Sequence, residues 1–230
     1  MRLTQAARRE MLQLLARDYQ GATTGLVFSS SFELLIAVIL SAQCTDVRVN
    51  IITQRLFPQW NTPAKMLELT VEQLEELIRD CGLFRAKAKN ILATCKMLID
   101  VWQGEVPATL EALIKLPGVG RKTANVVLSH QFGVPAIAVD THVFRVANRT
   151  GLARGETPDA VEQGLMKLIP RTDWSAAHHW LIWHGRKICR ARNPLCSECS
   201  LARLCPAAGK YDGKNKITSY NYSSYMGVAK

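Results

Sequence analysis

Long apolar runs are missing from this sequence. The longest, Leu34 to Leu40, falls far short of the roughly 20 residues needed to cross a bilayer. The N-terminus scatters Arg2, Arg8, Arg9 and Arg17 among Leu3, Met11, Leu12, Leu14 and Leu15. That pattern reads as an amphipathic helix, not as the charged start and apolar core of a secretion leader. The expectation is an intracellular protein of cytoplasm or nucleoid with no membrane attachment, in a compartment where disulfides are rare. Strand-like alternation is nearly absent, which argues against sheet and barrel folds. Internal repeats and linkers are lacking between Leu26 and Cys205. Composition shifts only over 210–230, a polar, tyrosine- and serine-rich stretch expected to form a disordered tail. Acidic residues are in deficit as well, 19 against 29 Lys and Arg, for a net charge of +10. A polyanionic partner follows, either nucleic acid or an anionic membrane surface. Charge alone also fits a basic protein that binds nothing in particular.

What is present is helix. Ser30 to Glu33 and Thr70 to Gln73 read as capping boxes, opening helices over Phe32–Ser41 and Val71–Asp80. Thr62-Pro63 and Thr157-Pro158 each pair an N-cap with proline at the first helical position. Arg85–Trp102 carries Ile91, Leu92, Cys95, Leu98 and Ile99 on one stripe. Leu110–Leu116 and Lys122–Phe132 predict two helices joined by a short glycine turn, and Val161–Ile169 and Ala176–Ile188 complete the set. The expectation is an all-α protein of about nine or ten helices with short connections.

The glycine turn is the first constellation with chemistry. In Leu116-Pro117-Gly118-Val119-Gly120-Arg121-Lys122-Thr123, two glycines separate one helix from the next. Glycine permits backbone conformations closed to other residues. Unpaired amides at the second helix start, aided by its dipole, can then hold an anion. A plain αα-hairpin needing glycine only for its turn fits the same spacing. Lys122 lies in the first turn of that helix, where the dipole and partial burial would favour the neutral, nucleophilic amine. A lysine there also fits a simple phosphate contact. Asp140, within apolar Ile137, Val139, Val143 and Val146, is costly to bury without partner or function, and it also suits the N-cap of a following helix.

The second constellation is Cys189-x6-Cys196-x2-Cys199-x5-Cys205. Four thiolates in one loop can bind Zn²⁺ or an iron–sulfur cluster equally well by ligand count. Arg186, Lys187, Arg190, Arg192 and Arg203 crowd the same segment, so a metal there would shape a phosphate-binding surface. Cys44, Cys81 and Cys95 sit in apolar helical contexts and read as inert buried thiols.

Gly118-Val119-Gly120-Arg121-Lys122 followed by Val139-Asp140-Thr141-His142 resembles the helix–hairpin–helix glycosylase superfamily. Phe32-Glu33-Leu34-Leu35, Ser41-Ala42-Gln43-Cys44-Thr45-Asp46, Gly82-Leu83-Phe84-Arg85-Ala86-Lys87-Ala88 and His178-His179-Trp180-Leu181-Ile182-Trp183-His184-Gly185 narrow the resemblance to the endonuclease III family, over roughly residues 8–206. The resemblance implies a two-domain helical fold with a cleft between the domains. One domain is a six-helix barrel near 24–134; the other unites 1–23 with 135–209 and carries a [4Fe–4S] cluster on the four cysteines. It implies a bifunctional DNA glycosylase and abasic-site lyase, a monomer acting on duplex DNA with oxidised pyrimidines or abasic sites. Lys122 would attack C1′ and form a Schiff base that undergoes β-elimination, with Asp140 assisting. Gln43 and Leu83 match the wedge that fills the gap left by the flipped nucleotide. Arg85, Lys87, Gly118, Val119, Gly120, Arg121, Thr123 and His142 match DNA-contacting positions, and Ser41 and Asp46 lie near the pocket.

Three rival readings share parts of this pattern. The related mismatch adenine glycosylase looks different at the lysine position and has an extra C-terminal domain. A monofunctional mismatch or uracil glycosylase would differ by a few pocket residues. A non-catalytic iron–sulfur DNA-binding protein predicts loss of Lys122 or Asp140, and both are present.

Overall fold

The computed structural model describes residues 3–210, and the tail expected over 211–230 lies outside the described residues. Among the described residues the regular elements are all helical. In chain order they are α1 (Gln5–Asp18), α2 (Ser31–Leu40), α3 (Asp46–Leu56), α4 (Pro63–Met66), α5 (Val71–Leu77) and α6 (Phe84–Trp102). There follow α7 (Leu110–Leu113), α8 (Arg121–Gln131), α9 (Thr141–Thr150), α10 (Pro158–Leu168) and α11 (Trp174–Lys187), with short 3-10 turns at Arg171–Asp173 and Cys196–Glu198. None of these helices is long and apolar enough to cross a membrane.

The helix starts follow side-chain capping. Thr4, Ser30, Thr45, Thr62, Thr70, Thr109, Asp140 and Thr157 each accept a hydrogen bond from an amide in the first turn. Thr70 and Gln73 form the reciprocal capping box. Ser30 caps α2 alone, because the Glu33 carboxylate reaches past it to the Ser29 amide at 2.6 Å. The segment expected to be helical over Leu110–Leu116 gives only the single turn α7, since Pro117 follows at once.

The chain divides into two compact units. One comprises Thr24–Ala136. Its core surrounds α2, where every residue from Phe32 to Leu40 is buried, against Ile52, Leu56, Met66, Leu74, Ile91 and Leu98. A helix apolar on all sides must be enclosed by others, which explains why this element lies at the centre of its unit. The other unit joins the segment up to Thr23 to everything described from Ile137 onward. There Met11 and Leu15 of α1 pack with Val143, Val146, Val161, Leu165, Ala177 and Leu181 of α9–α11.

Candidate active site and cluster loop

In the 24–136 unit the glycine turn is anchored from within. Gly118 has φ +77°, and a β-carbon there would approach the Asn90 side chain to 3.0 Å, so glycine is required both conformationally and sterically. Thr94 of α6 donates its hydroxyl to Pro117 O at 2.8 Å. Val119, expected among the DNA contacts, is buried and donates its amide to Leu116 O at 3.1 Å. It therefore holds the turn to the core and offers DNA neither side chain nor N–H. Gly120 differs from the expectation too: its φ of −87° is open to any residue. Among the described residues a β-carbon at Gly120 would meet nothing within 4 Å, so none of them demands glycine there. What glycine does there is leave the approach to α8 clear, and α8 starts with no side chain capping its first amides.

Arg121 and Lys122 occupy the first two positions of α8 and are both exposed, with Thr123 half-buried behind them. The partial burial expected of Lys122 is absent: its side chain stands exposed in the first turn of α8.

Three residues of the same unit are strained, Gln103 (φ 54°) after α6 and one in each of two loops. Gln43 (φ 54°) and Leu83 (φ 61°) both adopt the left-handed conformation without being glycine. Such a backbone costs about 1–3 kcal/mol and persists where its surroundings over-determine it. Both side chains are exposed, Leu83 to 49%. Arg85 is exposed as well, lies 5.2 Å from the Phe84 ring and sits 4.0 Å from Glu75. Lys87 requires a correction. It was expected to contact DNA, but it is only 4% exposed, and its Nζ donates to Leu40 O at 2.8 Å, to Ala42 O and to Cys81 Sγ at 2.9 Å. A phosphate cannot reach an ammonium whose three protons are already engaged inside the fold.

In the other unit Asp140 caps α9, with Oδ1 accepting from the Val143 amide at 2.8 Å, and it remains half-buried. The carboxylate keeps its second oxygen outside that bond, so capping leaves acceptor capacity. His142, two residues on, is held low in pKa by burial; its Nδ1 lies 3.2 Å from Arg145 Nη2, an arrangement that suits the neutral ring accepting from the guanidinium. Gly185 of α11 lets the helices close over it, since a β-carbon there would meet His142 Cβ at 2.9 Å.

All four clustered cysteines line one recess of about 370 Å³, counting its open mouth, together with Arg149, His184 and Ile188. Burial pushes the Cys199 thiol up to about 11, with the neighbouring thiols adding to the effect, and raises Cys205 likewise. Four such sulfurs crowded together favour a positively charged centre that ligates them as thiolates. Around a single zinc the sulfurs would stand about 3.8 Å apart, from Zn–S bonds near 2.3 Å. Among the described residues no three His, Cys, Asp or Glu side chains converge to hold one ion. A recess lined by four cysteine sulfurs has the donor set of a polynuclear cluster.

Sequence reasoning missed what holds this loop. Arg145 Nε donates to Cys189 O at 3.0 Å and Nη2 to Gly185 O at 2.9 Å. Arg149, one turn on, donates to Arg190 O at 2.6 Å and Ala191 O at 2.9 Å, with Nη1 3.7 Å from Cys189 Sγ. His184, lowered to about 4 by burial, lies between Tyr19 OH at 3.2 Å and Cys199 Sγ at 3.7 Å. The i,i+4 spacing of the two arginines was a visible signal, but their carbonyl targets lie forty residues away. Of the arginines expected to face phosphate, Arg203 instead pairs with Glu10.

The sequence matches the family model described as HhH-GPD superfamily base excision DNA repair protein over residues 36–171. It also matches that of the iron–sulfur binding domain of endonuclease III over residues 189–205. Endonuclease III of Rickettsia conorii is 53% identical over 196 residues, covering 85% of this chain and 93% of that protein. Endonuclease III of Escherichia coli strain K12 is 52% identical over 210 residues, covering 91% and 100%. Among solved structures, a trapped endonuclease III–DNA covalent intermediate superposes with a TM-score of 0.88 at 51% identity, covering 90% of this chain and 98% of that one. A thermostable thymine-DNA glycosylase shares the fold, with a TM-score of 0.78 at 22% identity.

Proposed function

The chain belongs to the endonuclease III family of helix–hairpin–helix base-excision repair proteins, and from that premise we propose Lys122 as its nucleophile and Asp140 as the acid–base partner of that lysine. It is a DNA glycosylase and abasic-site lyase with a [4Fe–4S] cofactor, and its partner is DNA. The substrates we assign are duplexes with an oxidised pyrimidine or an abasic site, handled by a monomer. The two units correspond in this reading to a barrel domain near 24–134 and a cluster domain of 1–23 with 135–209.

The observation that carries the assignment is the start of α8. Its amides have no side-chain cap, Gly120 leaves the space before them open, and Lys122 is exposed in the same first turn. Backbone amides and a helix dipole hold phosphate without reading sequence, which suits an enzyme that must scan any DNA. Gly118, Gly120, Arg121 and Thr123 make this contact, with Arg85 and His142 as further DNA-facing positions.

C1′ is inaccessible inside the stack, so the damaged nucleotide must first leave the duplex. Gln43 and Leu83 then fill the vacated space, their strained backbones presenting the side chains outward. The Lys122 amine attacks C1′, and the C1′–base bond breaks with its electron pair going to the base, which takes a proton from water as it leaves. The proton given up by the nitrogen passes through Asp140 to O4′ as the C1′–O4′ bond breaks, which opens the sugar and leaves a Schiff base at C1′. Loss of the C2′ proton then expels the 3′ phosphate and nicks the strand. Asp140 takes the proton from the lysine and stabilises the cationic sugar as it develops.

Cys189, Cys196, Cys199 and Cys205 hold the cluster, which supplies structure by tying the basic loop together. No step of the chemistry passes through it.

Borohydride trapping on a duplex with one thymine glycol tests the nucleophile. Wild type should give a covalent adduct and Lys122→Ala none. Base loss that survives in Lys122→Ala would reassign the nucleophile and make the enzyme monofunctional.

A further inference from the structure

Lys87 is the least expected residue of the 24–136 unit. A charged amine buried to 4% exposure destabilises a fold unless every proton finds an acceptor. Here each does, and the acceptors lie in two separate loops. Leu40 O and Ala42 O are carbonyls at the C-terminal end of α2, immediately before Gln43. Cys81 Sγ belongs to the segment immediately before Gly82 and Leu83. Burial pushes the Cys81 thiol up, so it remains a thiol; its Sγ lies 3.1 Å from Leu40 O, close enough to donate while accepting from Lys87. The loops also touch directly, because a β-carbon on Gly82 would come within 3.2 Å of Gln43 O.

These ties sit beside the two strained residues of the unit that flank one another, Gln43 and Leu83. A left-handed non-glycine backbone needs its neighbours fixed on both sides. Lys87 fixes one side of each.

We propose that Lys87 is a positioning residue for nucleotide extrusion, holding the Ala42–Gln43 and Cys81–Leu83 segments in register so that Gln43 and Leu83 form a preassembled wedge. The proposal rests on the reading of those two side chains as the wedge. Lys87 touches no substrate; it removes the ordering that the wedge would otherwise undergo each time it enters the duplex. Preorganisation of this kind raises the rate of the step in which the ordered group acts.

The test uses the full-length, cluster-loaded protein and a duplex with thymine glycol beside 2-aminopurine, whose fluorescence reports unstacking. Lys87→Met should slow extrusion by roughly 10- to 100-fold, the factor expected for losing one or two charge-assisted bonds. A duplex with a preformed abasic site, whose sugar is easier to extrude, should lose less. In a Gln43→Ala/Leu83→Ala background, adding Lys87→Met should change extrusion no further, because the element it positions is gone. An equal, additive loss in that background would make Lys87 merely structural and overturn the proposal. So would unchanged extrusion in the single variant. If Gln43→Ala/Leu83→Ala itself extrudes normally, the wedge reading fails first and takes the proposal with it. Should Lys87→Met not fold, Cys81→Ala removes one acceptor and should show a smaller slowing, while Cys81→Ser keeps an acceptor and should restore the rate. Equal behaviour of the two Cys81 variants would count against the proposal.

Discussion

In the unit of residues 24–136, α2 is enclosed on every side by apolar side chains, and α3, α4, α5 and α7 of the same unit start on threonine caps. In the other unit the segment from Ile188 to Cys205 has one short 3-10 turn as its regular structure, and its carbonyls are held by arginine side chains from α9. The first region is stabilised by area removed from water, which needs only that the right apolar residues meet. The second has few apolar groups to bury and many backbone polar groups to satisfy. It therefore depends on directional bonds from Arg145 and Arg149 and on whatever the four thiols hold. The two differ in what breaks them.

The sharpest way to expose the difference is to remove the cluster. Cys199→Ser should abolish the visible absorbance of the iron–sulfur centre and strip hydrogen-exchange protection from 186–205. Protection in α2 and α6 should remain close to wild type. A global loss of protection would show that the two regions are not energetically separate, since structural metal sites contribute folding energy directly. The reverse experiment is Leu35→Ala. Leu35 is fully buried at the centre of α2, so truncation should destabilise by about 2–5 kcal/mol, read from denaturant unfolding. Cluster absorbance per folded molecule should not change.

The same contrast explains what could be read from the sequence. The helices of both units were legible because their signals are local: a threonine three residues before an amide, a proline at the first position, an apolar stripe. The four cysteines were legible because they are close in sequence, and the family resemblance decided which metal centre they serve. The resemblance makes Lys87 a DNA contact, and its inward role is invisible in the sequence because its acceptors at positions 40, 42 and 81 are remote and two of them are backbone atoms. Arg145 and Arg149 escaped for the same reason. Gly120 was credited with a backbone conformation it does not adopt, since the pattern of two glycines says nothing about which one turns the chain. Side chains that serve remote carbonyls leave no periodicity behind them.

The smallest expected effect is a pH dependence carried by His142 in the second region. Burial holds the His142 pKa below the ordinary value near 6.5, so the unfolded chain binds the proton more readily than the folded one. Stability from this group is therefore fully present above the unfolded pKa, and it is lost as pH falls through the folded one. The structural reason is visible at Arg145. Protonating Nδ1 would remove the acceptor and set a second cation 3.2 Å from a guanidinium that also holds Gly185 O and Cys189 O. Acid should thus loosen the junction of α9, α11 and the cluster loop. His142→Asn, which keeps polarity without the titration, should flatten that part of the melting-temperature profile below pH ~6.5. Equal acid sensitivity in wild type and variant would assign the loss to groups other than His142.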